Sequence, residues 1–339
     1  MEYRQLGQSG IRTSALCLGC MNLGQSTPAK QALRIIHEAM EFGINFFDTA
    51  DVDGQGTSEE IVGKALVEGG RRDKVILATR GGSSTGDEKN DGGASRYHLM
   101  AQIERSLRRL KTDRIDLYQV HRMDLTTPLE ETLRTLDDLV RQGKVRYIGT
   151  SRWAPSLIAE AATLSASNGW ERFVSEQPPY NLLDRSIENE LMWTCQRHGI
   201  GIVACAPLAT GLLSGQYDAG QDPPSTSRRN KGTLPDERFT EEALDRVDQL
   251  RPLAQEAGVS LAVYALAWVM NRPGITASII GVRTMEHLRT IVKATDISLS
   301  ADDHERIDAI VPPGTAAADY YDADVLASLR LKTPHEPTA

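Results

Sequence analysis

Four cysteines in 339 residues (Cys17, Cys20, Cys195 and Cys205) are too few to staple a chain of this size, so no disulfide framework is expected. Cys17 and Cys20 make a Cys-x-x-Cys pair with no second pair to complete a site, which argues against zinc. Positive charge is not in excess. Lys+Arg number 38 against 46 Asp+Glu, a formal net charge of −8, which excludes nucleic acid or anionic membrane held through bulk charge. The first residues, Met-Glu-Tyr-Arg-Gln-Leu-Gly, lack the basic start and apolar core of a secretory leader. The longest apolar run, residues 261–270, is about half the roughly 20 residues that a bilayer requires. With 40% hydrophobic and 25% charged residues, the composition is neither fibrous nor disordered. The expectation is a soluble, cytoplasmic protein whose partner is a small-molecule substrate.

What the chain does have is a regular alternation of short apolar runs with helical periods. Strands are expected over 15–18, 44–48, 74–79, 115–120, 145–149, 173–176, 201–206 and 278–282. Between them lie helical patterns, the first marked by Ala32, Ile35, Ile36, Ala39 and Met40 after Pro28, the third by Leu99, Ile103, Leu107 and Leu110. Two helix starts read as capping boxes, Thr57-Ser-Glu-Glu60 and Thr127-Pro-Leu-Glu130, the latter helix stopping at Gly143. Further helices are expected over 157–164, 187–197 and 285–294, and helical pattern returns at Glu241. Eight strands each followed by a helix predict an α/β fold, the closed (β/α)8 TIM barrel. A doubly wound sheet is disfavoured because no Gly-x-Gly-x-x-Gly turn follows the first strand, and Gly54-Gln-Gly56 lacks the third glycine. Residues 1–13 read as a hairpin closing the barrel bottom, 214–240 as a long polar loop, and 311–339 as a tail, all in one domain spanning 1–339.

In such barrels chemistry sits at the carboxyl ends of the strands. The residues there are Asp48, Arg80, His121, Ser151 and Gln177. Each alone has a bland reading as a turn, cap or structural residue. Five polar side chains in one layer of one barrel mouth are harder to dismiss. Asp48, Asp51 and Asp53 put three carboxylates at that mouth, facing Arg80; with His121 they could compose a Mg²⁺ or Mn²⁺ site, but no metal is expected. The Gly-, Ser- and Asp-rich segment 83–95 reads as a mobile loop over the mouth, and with residues 316–324 it is expected to wall the substrate.

Several segments carry a family likeness: Phe47-Asp48-Thr49-Ala50-Asp51, Ser58-Glu59-Glu60-Ile-Val-Gly63, Asp116-Leu-Tyr-Gln-Val-His121 and Gln177-Pro-Pro-Tyr-Asn181. Pro207-Leu-Ala-Thr-Gly-Leu-Leu213 and Ile280-Gly281-Val-Arg283 add to it. In this order, over residues 1–310, the chain resembles the aldo-keto reductase superfamily; Gly149-Thr-Ser-Arg152-Trp153 resembles the branch containing potassium-channel beta subunits and bacterial relatives. The resemblance implies reversible carbonyl reduction with NADP(H) extended across the barrel mouth. Of the family's Asp, Tyr, Lys and His, the first and last correspond to Asp48 and His121, but Asp53 stands at the tyrosine position and Arg80 at the lysine position. It further implies that Ser151 and Gln177 hold the nicotinamide carboxamide, that Pro207, Leu208, Gly211 and Leu212 form the pyrophosphate loop, that Arg283 meets the adenosine phosphate, and that Arg152 and Gly281 also belong to the cofactor groove. Arg228, Arg229 and Lys231 in the long loop correspond to a cofactor clamp, though by themselves they read as a solvated basic patch. Cys205 stands where an aromatic stacks on nicotinamide, and His287 and Ile291 replace a Gln and an Asn, so weaker cofactor binding is expected.

The changed pair has consequences. A phenol with an ordinary pKa of about 10 can donate a proton at neutral pH; an aspartate of about 3.9 is ionised, and a neighbouring arginine is expected to depress it further. Loss of a general acid costs roughly 10²–10⁴ in rate. Three readings follow. His121, or a water held by Asp53, supplies the proton for a carbonyl substrate, or Asp53 acts as base for alcohol oxidation. Alternatively, Asp53 and His121 form an acid–base pair for dehydration, elimination or isomerisation. Or Asp53–Arg80 is a salt bridge plugging a dead site, leaving a cofactor-binding regulator. Tyr97, Tyr320 and Tyr321 are candidates to replace the missing phenol.

Overall fold

A computed structural model describes residues 1–217 and 238–321. β1 (Tyr3–Gln5) and β2 (Arg12–Ser14) form an antiparallel hairpin with Arg4 opposite Thr13. Then come β3 (Leu16–Gly19), α1 (Ala29–Glu41), β4 (Phe46–Ala50), α2 (Thr57–Val67), β5 (Ile76–Gly81) and α3 (Arg96–Leu110). β6 (Ile115–Val120), α4 (Leu129–Arg141), β7 (Val145–Thr150), α5 (Pro155–Asn168), β8 (Phe173–Glu176), α6 (Leu191–His198) and β9 (Gly201–Ala204) follow. The chain ends its described course with α7 (Glu241–Glu256), α8 (Leu261–Asn271), β10 (Ile275–Ile280), α9 (Met285–Ile291) and α10 (Ala301–Ile310). β3 to β10 pair in parallel and in chain order, and β10 returns to β3 through Ser278–Leu16 and Ile280–Leu18. The fold is the (β/α)8 barrel that the alternation predicts, with its hairpin at the amino terminus.

Strand side chains alternate between the two faces, so inward positions recur every second residue. Cys17, Phe46, Ala78, Leu117, Val203 and Ala277 fill the lower interior, and Leu6 and Ile11 of the hairpin close it from below. Two residues further along β4, β5 and β6 stand Asp48, Arg80 and Gln119. The apolar layer therefore carries a polar one directly above it. Residues on the alternate face, Phe47, Leu77 and Tyr118, pack outward with the helices. Gly149 lies in register between Gln119 and Ser175, where a Cβ would come within 2.2 Å of Ser175 Oγ and 3.2 Å of Gln119 Cγ. A side chain at 149 would collide with Ser175 and press on Gln119, so glycine lets the inward residues of β6 and β8 meet.

Several local expectations change. β4 and β5 each start two residues later than their apolar runs suggest. Ile44 N still closes the end of α1 on Ala39 O at 3.0 Å, and the Asn45 side chain bonds Ser14 N at 2.7 Å and Arg12 O at 3.1 Å, tying this turn to the hairpin. Asp48 and Arg80 consequently lie inside strands; His121, Ser151 and Gln177 do follow theirs directly. β9 stops at Ala204, and β10 occupies Ile275–Ile280 rather than 278–282. The sixth helix divides into a 3-10 turn, Ser186–Glu188, and α6; the eighth becomes 3-10 beyond Ile291. Among the described residues, two α-helices, α7 and α8, stand between β9 and β10.

Neither anticipated capping box forms. The cap of α2 is Gly56 at φ +90, which makes Thr57 the first helical residue, and a Cβ at 56 would lie 2.6 Å from Arg109 Cδ. At α4 the cap is Pro128, while Thr127 Oγ1 donates to Asp124 Oδ2 at 2.6 Å. Among the described residues, no single helix is long and apolar enough to cross a membrane; the 261–270 run is α8, capped by Ser260 and buried in the core.

Candidate active site

The polar layer above Phe46, Ala78 and Leu117 is a bonded cluster centred on Asp48, which is 2% exposed. Arg80 Nη1 donates to Asp48 Oδ2, while Gln119 Nε2 and Gln177 Nε2 donate to Oδ1 at 3.1 and 3.0 Å. Arg80 Nη1 also donates to Gln177 Oε1. The other guanidinium nitrogen, Nη2, is 3.7 Å from Asp53 Oδ2, close enough for an ion pair but too far for a hydrogen bond. Asp53 opens the 3-10 turn Asp53–Gly56 just past β4. Its Oδ2, Arg80 Nε and His121 Nδ1 are buried without a hydrogen-bond partner. Such atoms are costly unless something else comes to them.

Burial pushes the Asp53 carboxyl up to about 6; Arg80 pulls it back, and Asp48 and Glu59 push it further up. The expected depression by Arg80 is thus reversed, because that guanidinium is bonded to Asp48 and burial dominates at Asp53. Burial also raises Asp48 above the usual carboxylate range against the pull of Arg80. For Arg80, burial opposes the charge but Asp48 and Asp53 outweigh it, so the group is held above its ordinary value. His121 is driven down to about 2, first by burial and then by Arg80, Arg152 and Arg122. Burial and these cations favour the neutral imidazole, which counts against its supplying the proton as an acid.

The three neighbouring carboxylates diverge. Asp51 accepts from Gln102 Nε2 at 2.8 Å on α3, and burial beside Glu59 raises it to about 7. Glu59 in turn accepts from Thr79 Oγ1 at 2.7 Å and Arg109 Nε at 2.6 Å. Asp51 therefore belongs to the strand–helix layer and does not face Arg80, as the sequence suggested. Among the described residues, no group of three His, Cys, Asp or Glu is arranged to hold a metal ion.

The remaining candidates ring this cluster. Ser151 Oγ donates to Gln177 O at 3.0 Å, and both amide atoms of Gln177 are engaged by Asp48 and Arg80. Cys205 lies half-buried at the exit of β9; burial raises its thiol, with Arg152 and Arg80 pulling the other way. Beyond Pro207 and Leu208 the chain turns sharply. Ala206, Ala209 and Thr210 have φ of 52, 48 and 53, and Gly211 has 117. For non-glycine residues this conformation costs about 1–3 kcal/mol each and gathers at functional sites. Gln55 and Arg152, at φ 55 and 58, lie on the same rim.

Leu212 and Ile291 are buried in the core, at 0% and 6% exposure, so their side chains serve packing. Gly281 and Arg283 lie between β10 and α9, and His287 is in the first turn of α9, its N donating to Thr284 Oγ1 at 3.1 Å. Arg228, Arg229 and Lys231 fall outside the described residues, as do 322–324 of the expected substrate wall. The 83–95 loop is closed on itself by Thr85 N to Asp91 O (2.8 Å) and Gly93 N to Gly82 O (2.9 Å), and Ala94 N ties it to Asp124 Oδ2 at 2.7 Å.

The three tyrosines singled out from the sequence are exposed or bonded elsewhere. Tyr97 is 74% exposed on α3, and the buried Tyr320 and Tyr321 hydroxyls donate to Ala209 O and Trp153 O at 2.7 and 2.8 Å. Two residues escaped the sequence reading. Gln119 is inward by period two from Leu117, a signal that was there to use. Glu176, fully buried, accepts from Thr150 Oγ1 and from Trp153 N at 3.2 Å, and burial raises it to about 7. It faces the helix layer, and nothing in its local sequence marks it.

Against known proteins, a family model described as "Aldo/keto reductase family" matches residues 15–312. The chain is 40% identical over 334 residues to the uncharacterized oxidoreductase YrpG of Bacillus subtilis (strain 168), spanning 95% of this chain and 99% of that protein. It is 34% identical over 321 residues to a probable voltage-gated potassium channel subunit beta of Oryza sativa subsp. japonica, spanning 92% and 97%. With an L-glyceraldehyde 3-phosphate reductase of Escherichia coli (strain K12) it shares 33% identity over 326 residues, 93% of each chain.

Proposed function

The chain belongs to the aldo/keto reductase family and is an oxidoreductase, and from that premise we propose that it interconverts a small carbonyl compound and its alcohol with NADP(H), with Asp53 as the group that exchanges the proton. One observation carries the reading: Asp53 Oδ2 is buried, has no hydrogen-bond partner, stands 3.7 Å from Arg80 Nη2, and belongs to a carboxyl raised to about 6. A group poised near the working pH gives the best proton-transfer catalyst. The cofactor, when bound, supplies or accepts the hydride.

Asp53 then has two roles separated by pH. Below about 6 it is a carboxylic acid and donates toward the carbonyl oxygen; above it, the carboxylate accepts the hydroxyl proton of an alcohol. Arg80 stabilises the carboxylate left after donation, and Asp48, Gln119 and Gln177 hold Arg80 in place. Neutral His121 offers the oxygen a hydrogen bond. Aspartate is several ångströms shorter than tyrosine, so a water at Oδ2 relays the proton.

The cofactor groove proposed is Ser151, Arg152, Gln177, Cys205, Pro207, Leu208, Gly211, the backbone of Leu212, Gly281, Arg283 and His287, with Arg228, Arg229 and Lys231 on the long loop. The strained turn after β9 and the cations at 152 and 283 suit an anionic dinucleotide. Gln177 must exchange its bonds to Asp48 and Arg80 to hold a carboxamide, and Cys205 offers no ring to stack. Binding weaker than a ring-bearing relative's is the expected result.

Two other chemistries lose support. In an Asp53–His121 pair an imidazole lowered to about 2 is too weak a base to take up the proton that Asp53 gives, and Arg80 makes its hydrogen bond to Asp48 and only a longer 3.7 Å ion pair with Asp53. Fluorescence titration with NADPH and NADP⁺ tests the proposal. Absence of binding up to hundreds of micromolar sinks it. If cofactor binds, Asp53→Tyr with Arg80→Lys is expected to raise reduction of a generic aldehyde at pH 7 by about 10²-fold or more.

A further inference from the structure

The end of the described chain is built into the barrel rim. Arg185 N donates to Thr315 O at 2.8 Å, and Ala317 N and Ala318 N donate to Leu183 O at 2.8 and 3.1 Å. Asp184, fully buried, accepts through Oδ2 from Tyr320 N and Tyr321 N at 2.7 and 2.8 Å. Its other oxygen accepts from Ser186 N at 3.0 Å and Ser186 Oγ at 2.5 Å. One carboxylate in the loop after β8 thus fixes the backbone of two consecutive tyrosines.

Those tyrosines reach different loops. The Tyr321 hydroxyl donates to Trp153 O past β7, and the Tyr320 hydroxyl donates to Ala209 O past β9. Ala209 is within the turn where three non-glycine residues hold left-handed φ. Such backbone persists only where its surroundings over-determine it. At Ala209 O the side-chain donors are Tyr320 and Thr210, whose Oγ1 donates at 2.8 Å, and the two hydroxyl oxygens are 3.2 Å apart. The Tyr320 ring is itself held, with the Arg238 guanidinium 4.2 Å from its centroid and Thr240 Oγ1 donating to Ala317 O at 3.0 Å. Volume alone does not require this phenol: a phenylalanine fills the same space without a donor.

We propose that Tyr320, aimed by Asp184, is a positioning residue that holds the exit of β9 in its strained conformation, and through it the backbone that grips the cofactor's phosphates. The cofactor half of this statement rests on the reading of that loop given above; the conformational half does not. Three amides inside the turn report on it directly: Ala209 N bonds Ala206 O at 2.9 Å, and Gly211 N and Leu213 N bond Leu208 O at 2.8 and 3.2 Å.

The test is hydrogen exchange on the full chain, read beside NADPH titration, for wild type, Tyr320→Phe and Tyr321→Phe. In Tyr320→Phe those three amides are expected to exchange about three- to tenfold faster while barrel-strand amides are unchanged, the scale of one buried neutral hydrogen bond. NADPH is expected to bind more weakly by a similar factor, with kcat at saturating NADPH unchanged. Tyr321→Phe is expected to leave the three amides as in wild type. Unaltered exchange in Tyr320→Phe, or acceleration spread evenly through the barrel, overturns the proposal. Faster exchange confined to the turn in a protein that binds no NADPH upholds the positioning role and overturns the cofactor reading instead.

Discussion

Asp53 was marked by its place in the sequence, but its acidity was not. At the sequence level an aspartate beside an arginine is an ionised carboxylate; in the folded chain, loss of water outweighs that arginine and the carboxyl rises to about 6. A pH dependence with a definite sign follows. Reduction needs the protonated acid, so its rate is expected to climb as pH falls through about 6; oxidation needs the carboxylate and is expected to climb as pH rises through the same value. Asp53→Asn is expected to remove this inflection and to cost about 10²–10⁴ in rate in either direction. Rate profiles from pH 5 to 8 decide it. An inflection that survives in the asparagine variant belongs to another group and ends the assignment. His121 contributes none of this dependence, since it stays neutral throughout that range.

At the scale of elements, the alternation of short apolar runs with helical periods made the strands legible and brought Asp48 and Arg80 to the mouth, while the inward period that marks Gln119 went unread. Helix starts were less legible. The side chains of Thr57 and Thr127 had competitors: a left-handed Gly56 that capped α2 first, and an Asp124 carboxylate that claimed the threonine. Glu176 shows the same limit, for it is a strand-end carboxylate whose loop comes back to bond it. Its folded value of about 7 lies above the ordinary 4.5, so the folded state keeps a proton that the unfolded chain gives up. Stability from this group is therefore full below 4.5 and falls as pH rises through 7, by on the order of 3 kcal/mol in all. Glu176→Gln keeps a neutral partner for Thr150 and Trp153, so it is expected to match wild type at pH 5 and exceed it by about 1–3 kcal/mol at pH 8. Urea unfolding at the two pH values measures this. A variant less stable than wild type at pH 8 contradicts the raised value.

Across the whole molecule, the barrel separates stability at one end from chemistry at the other. Leu6, completely buried, closes the bottom against Phe46 and Leu117, on the far side of the apolar layer from Asp48 and Arg80. Leu6→Ala is expected to cost about 2–5 kcal/mol in unfolding free energy and to leave cofactor affinity and kcat unchanged in the folded fraction. Denaturant titration and kinetics at low temperature separate the two effects, and a changed kcat would show that the two ends are coupled.

The sequence by itself determined the barrel, the residues at its mouth and the family, because these follow from periodicity and from motifs short enough to survive in order along the chain. Scarcity of cysteine and of positive charge was informative in the same local way. The tertiary structure alone decided which carboxylates share a space, how far each is from water, and that Tyr320 and Asp184 reach the turn after β9. Those are properties of distance and burial between residues far apart in the chain, and no local pattern of residues encodes them.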